Sequence, residues 1–147
     1  MSNYSRILLF YDETEEAKTA LIRCANLSAS LSALVDVVTV VDYIAASAIT
    51  AGMLSGVLVS QMEEDARSVL KNAVDELGLN GVVARGHVAF GPTVDAILRM
   101  IERLNSDLIV VGHRTKTGLA RWYGARPLHI DLVERLKGAT IVTVTPD

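Results

Sequence analysis

Short apolar runs and amphipathic stretches alternate along the chain. "RILLFY" (6–11) is a compact apolar run that ends at Asp12. The stretch that follows has acidic residues in its first turn, where a helix dipole favours them. Ala17, Ala20, Leu21, Cys24, Leu27 and Leu31 then recur at helical spacing. "ALVDVVTVV" (33–41) is almost continuously apolar, as expected of a strand buried on both faces. Residues 58–77 form a second amphipathic helix that Gly78 should end. Val59, Met62, Ala66, Val69, Leu70, Ala73 and Leu77 lie on its apolar face. "GVVARGHVAF" (81–90) alternates more, which predicts an edge strand. A third helix opens at Pro92, where a missing N–H costs nothing. "DLIVVG" reads as a central strand, "PLHIDLVERLKG" as a helix ending at Gly138, and "ATIVTVT" as the last strand.

Strands and helices thus alternate from end to end, which predicts an α/β domain over 1–147, a parallel sheet with helices on both faces. Ligands of such sheets lie beyond the carboxyl ends of the strands, where strand order reverses. The loops that begin at Asp12, Asp42, Gly91 and Gly112 are therefore the places to look for chemistry.

Composition narrows the function classes. Half of the 147 residues are apolar, enough for a packed core. A net charge of −3 gives no global case for nucleic-acid binding. The lone Cys24 excludes an internal disulfide and sits among apolar helix positions, so a buried inert thiol is expected. The opening "MSNYSRILLFYD" has too short an apolar run for a signal peptide, and a cytoplasmic protein is expected. Residues 40–60 are long and weakly polar, with glycines at 52 and 56. Asp42 interrupts them and Ser and Thr dilute them, so a connector or short helix is expected there rather than a membrane span.

"ILLFYDETEEAKTAL", "VVTVVD", "GPTVDAILRMIERLNSDLIVVG" and "TGLARWYGA" resemble the universal stress protein family, in order and over nearly the whole chain. The resemblance implies a Rossmann-like domain of the adenine nucleotide alpha hydrolase type, with five parallel strands in the order 3-2-1-4-5. It also implies ATP or AMP as ligand and a homodimer, often paired through the last strand (140–144 here). Nucleotide-binding members carry Gly, two residues, Gly, nine residues, Gly, then Ser or Thr. The glycines let backbone N–H groups approach phosphate oxygens, and the closing pair opens a helix that attracts anions.

Here the first glycine matches Gly112, and the second position holds Thr115. The closing pair falls on Ala125 and Arg126, or on Gly124 and Ala125 after a one-residue shift. In either register the closing hydroxyl is missing and at least one glycine is lost. Arg114, Lys116, Arg121 and Arg126 make this stretch basic, so side-chain charge is a candidate replacement for lost backbone donors. Asp12 matches the family's ligand-contacting aspartate after the first strand and is also a candidate helix cap. Val40 matches the residue whose backbone reads the adenine edge. Tyr11 is bulky for its place and would narrow the adenine slot or stack on a base.

His113 is a candidate phosphate contact or pH switch, while His87 and His129 read as structural or surface residues. Trp122 and Tyr123 are candidates for stacking on a base or packing on a dimer partner. No nucleophile–base pair and no Walker lysine appears. The resulting expectation is a dimeric, adenine-nucleotide-binding regulatory protein with a worn phosphate loop and an unidentified protein partner. The alternatives are an interaction protein of the same fold that binds no nucleotide, and a slow ATPase.

Overall fold

The computed structural model describes residues 4–49, 56–114 and 126–146. Its elements follow the predicted alternation. They are β1 (Arg6–Phe10), α1 (Glu15–Leu31), β2 (Leu34–Val41), α2 (Tyr43–Ile49), α3 (Gly56–Leu79), β3 (Ala84–Phe90), α4 (Thr93–Leu104), β4 (Leu108–Gly112), α5 (Leu128–Arg135) and β5 (Thr140–Val144). The five strands are parallel and stand in the order β3-β2-β1-β4-β5.

Strand side chains alternate between faces, and the sheet buries both. Ile7, Leu9, Val35, Val37 and Val110 pack with Ala20, Leu21 and Cys24 of α1 and with Leu70, Ala73 and Leu77 of α3. Leu8, Val38, Ile109 and Val111 pack on the other side with Ala96, Ile97 and Met100 of α4 and Leu132 of α5. Cys24 is fully buried, and burial pushes its thiol up to about 12. It is inert at neutral pH, as expected.

Boundaries differ from the periodicity where local caps decide. α3 runs through Gly78 to Leu79. α5 stops at Arg135, short of Gly138, with Leu136 already extended at its cap. β3 starts at Ala84 because Gly81 lies in a turn with φ +80°. β3 is an edge strand, as its alternation implied. The weakly polar stretch after β2 contains the short helix α2, and Tyr43 stacks on Phe90 of β3 at 5.8 Å. Among the described residues no helix is long and apolar enough to cross a membrane.

β2 departs from a continuously apolar strand in one way. Asp36, in its middle, is fully buried. Its register places it beside Leu8 of β1 and Arg85 of β3. Its carboxylate meets His87 at 2.8 Å, Arg85 at 3.2 Å and Arg6 at 3.5 Å. A buried carboxylate without such partners would be strongly destabilising. His87 therefore has a structural place, as its position in a strand suggested.

Candidate functional site

β1 leads into α1 on one face of the sheet, whereas β4 leads toward α5 on the other. The two connections part at the carboxyl ends of adjacent strands and leave a crevice there.

The β1 side of this crevice is tightly fastened. The Tyr11 N–H donates to the Val38 carbonyl at 3.0 Å, and the Thr39 hydroxyl donates to the Tyr11 carbonyl at 2.9 Å. Asp12 follows, exposed at the strand's end. Its Oδ1 accepts the Thr14 hydroxyl at 2.6 Å and the Thr14 N–H at 3.3 Å. The N-cap of α1 is Thr14, not Asp12, since the Thr14 hydroxyl oxygen accepts from the Ala17 N–H at 3.2 Å. Asp12 thus stands outside the cap, oriented by it. The local signal was present in the sequence as Thr14 before Glu15 and Glu16, and threonine is itself a favoured cap.

Val40 partners Ala89 of β3 and packs toward the α4 face. Alternate residues of a parallel strand direct their backbone groups to the same neighbour. Val38 gives its carbonyl to Tyr11, so Val40 turns its N–H and C=O to the same side. β1 has ended at Phe10, opposite Val38, which leaves this donor–acceptor pair facing the space above the strand end. The Tyr11 ring, by contrast, is only 6% exposed and lies in the α1–α3 core. That placement does not support a base-stacking role for it.

Gly112 ends β4 beside the first turn of α1. A β-carbon there would lie 2.3 Å from the Glu16 carbonyl oxygen and 2.9 Å from the Ala17 nitrogen. The glycine is required for this approach whatever binds nearby. His113 follows, its N–H donating to the Val144 carbonyl at 2.8 Å. Its ring meets that of His129, in the first turn of α5, edge to face at 4.6 Å. Burial first, then the neighbouring His113, pulls the His129 imidazole below its ordinary range. His129 thus belongs with His113 at the end of β4, a pairing that sequence separation had hidden.

Arg114 is exposed. Arg126 is engaged with α5 instead, meeting Glu134 at 2.5 Å and Asp131 at 3.5 Å. The hydrogen bond from Arg126 holds the Glu134 carboxyl below its usual range. Thr115, Gly124 and Ala125, with Lys116, Arg121, Trp122 and Tyr123, lie outside the described residues. Among the described residues no group of three or more His, Cys, Asp or Glu is arranged to hold a metal ion.

The fold is a doubly wound parallel α/β domain whose strand order reverses between β1 and β4. A model described as the universal stress protein family matches residues 3–124, and the chain belongs to that family. It is 29% identical over 126 residues to universal stress protein A homolog 1 of Coxiella burnetii, covering 84% of this chain and 86% of that one. A solved universal stress protein in complex with cAMP aligns with TM-score 0.72 and 17% identity, covering 97% of this chain and 98% of that one. A universal stress protein family member from Arabidopsis thaliana with AMP bound aligns with TM-score 0.68 and 15% identity, covering 97% and 92%.

Proposed function

We propose that this protein is a cytoplasmic regulatory module that binds an adenine nucleotide in the crevice between β1 and β4. The observation that carries the reading is Asp12. Its carboxylate is oriented by Thr14 at the switch point and stands exposed, with no ion pair among the described residues. A carboxylate so placed accepts hydroxyl protons from a ribose. The backbone pair of Val40 offers one donor and one acceptor, the complement of an adenine edge. The complexes of fold relatives with cAMP and AMP support the ligand class. ATP or AMP is the ligand proposed here, with Arg114 and Gly112 on the phosphate side together with Thr115, Gly124 and Ala125.

The protein would act as a homodimer through β5, which among the described residues pairs with β4 alone and is exposed at Thr140 and Thr143. An open strand edge is a template for a second copy. Nucleotide binding would then alter a surface read by a protein partner.

Purified protein is denatured and its extract assayed for adenine nucleotides, and the native protein is then melted with and without millimolar ATP. A ligand that prefers the native state must raise the melting temperature. No bound nucleotide and no rise would discard the reading, and an equal rise in Asp12→Ala would move the site elsewhere. Light scattering during chromatography decides the dimer.

A second reading follows from Arg126. Its charge is taken up by Glu134 and Asp131, so it does not stand free to replace lost phosphate contacts. A dimeric interaction protein without nucleotide is what this pairing favours, and the same melting experiment separates the two.

A further inference from the structure

A second cleft opens between α1 and α3, with a volume of about 370 Å³. That is within the range of small-molecule sites, roughly 300–1,000 Å³. Tyr11 contributes to its lining, and the residue is only 6% exposed. Its hydroxyl forms no hydrogen bond among the described residues and is not a buried unpaired atom, so it is open to the cleft. Leu21 and Ile22 supply an apolar wall, and Ile22 is 42% exposed there.

The rim is acidic. Glu13 and Glu76 both border the cleft, and neither forms an ion pair among the described residues. Lys18 also borders it but pairs with Glu15 at 3.6 Å. Burial first, then the charges of Glu13, Asp12 and Glu76, pushes the Tyr11 phenol above its ordinary range. The negative potential of the rim therefore reaches the hydroxyl, which stays protonated at neutral pH.

We propose that this cleft binds a small organic amine, with its ammonium group held by Glu13, Glu76 and the Tyr11 hydroxyl oxygen and its hydrocarbon body on Leu21 and Ile22. An ammonium has three donors and no acceptor, which matches two carboxylates and a phenol oxygen. An apolar wall with a few convergent polar groups is the usual build of such a site. The proposal does not depend on nucleotide binding, because it uses the side chain of Tyr11 on the α1–α3 face.

The test is a calorimetric titration of the full chain with phenethylamine. Phenethyl alcohol and phenylacetate serve as neutral and anionic ligands of the same shape. The amine is expected to bind with a Kd on the order of 1 mM, and the other two at least about tenfold more weakly. Glu76→Gln should weaken the amine about fivefold. Tyr11→Phe keeps the ring in the core and should weaken it about threefold. Both variants should melt near the wild type. Equal affinity for the three ligands, no binding at about 10 mM, or an unchanged Kd in Glu76→Gln would each overturn the proposal.

Discussion

A β-carbon on Gly112 would stand 2.3 Å from the carbonyl oxygen of Glu16. The end of β4 and the first turn of α1 meet backbone to backbone, and neither side has a flexible side chain to yield. Gly112→Ala should therefore cost about 3 kcal/mol. Urea unfolding would show a lower midpoint with an unchanged slope. A midpoint equal to the wild type would mean that the two elements do not approach this closely. Any loss of nucleotide affinity in this variant must be separated from that loss of stability.

The two described arginines at the mouth of the crevice should behave differently. Arg126 is paired with Glu134 and Asp131, both on α5. Arg126→Gln should leave the ATP affinity within about twofold and change stability by about 0.5 kcal/mol or less, since exposed pairs contribute little. Arg114 is exposed and forms no ion pair among the described residues, and Arg114→Gln should weaken ATP about fivefold through a lost charge-assisted contact. Calorimetry on the two variants decides, and the reverse ranking would contradict this assignment.

The His113–His129 contact makes stability depend on pH. His129 titrates below its ordinary value because of burial and the neighbouring imidazole. The unfolded chain therefore takes up its proton first as pH falls. The stabilising contribution is complete above the ordinary histidine pKa, about 6.5. It is lost as pH falls from there through the folded value. Melting temperature should drop between about pH 7 and pH 5, and His129→Gln should flatten that drop. An identical profile in wild type and variant would remove His129 from the account.

Asp107 ties β4 to the start of β1. Its carboxylate accepts from the Ser5 N–H at 3.0 Å, the Ser5 hydroxyl at 3.1 Å and the Arg6 N–H at 3.1 Å. Burial alone would raise its pKa, but the hydrogen bonds from Ser5 and Arg6 outweigh it and hold the group below the usual carboxylate range. Its contribution is present above the ordinary carboxylate pKa and fades as pH falls through the lower folded value. Asp107→Asn should cost about 1–2 kcal/mol at pH 7. It should also lose less on acidification below about pH 4 than the wild type does, as read by chemical unfolding at several pH values.

The order and type of the elements were legible in the sequence because burial imposes a period on each. Val59, Met62, Ala66 and Leu70 repeat at the spacing of one helix face, and the runs of β2 and β4 are apolar because helices cover both sides. The crevice was legible too, since alternation of strands and helices places ligands at strand ends, and the likeness of the Gly91–Gly112 run to one family pointed to the reversal of strand order beside Asp12. Helix ends were less legible. Gly78 and Gly138 looked like stops, but α3 runs past Gly78 and α5 ends before Gly138.

What the tertiary structure decided depends on contacts between residues distant in sequence. A carboxylate after β1 and a glycine at the end of β4 can be read directly along the chain. Only the fold decided that Gly112 is pressed against Glu16. Only the strand register placed Asp36 within reach of Arg6, Arg85 and His87. Only the return of α5 to the end of β4 set His129 against His113 and left Arg126 bound to α5. Periodicity is a local consequence of burial, so one strand of text carries it. Pairing across a sheet or at a crevice is set by how layers dock, and no local pattern records it.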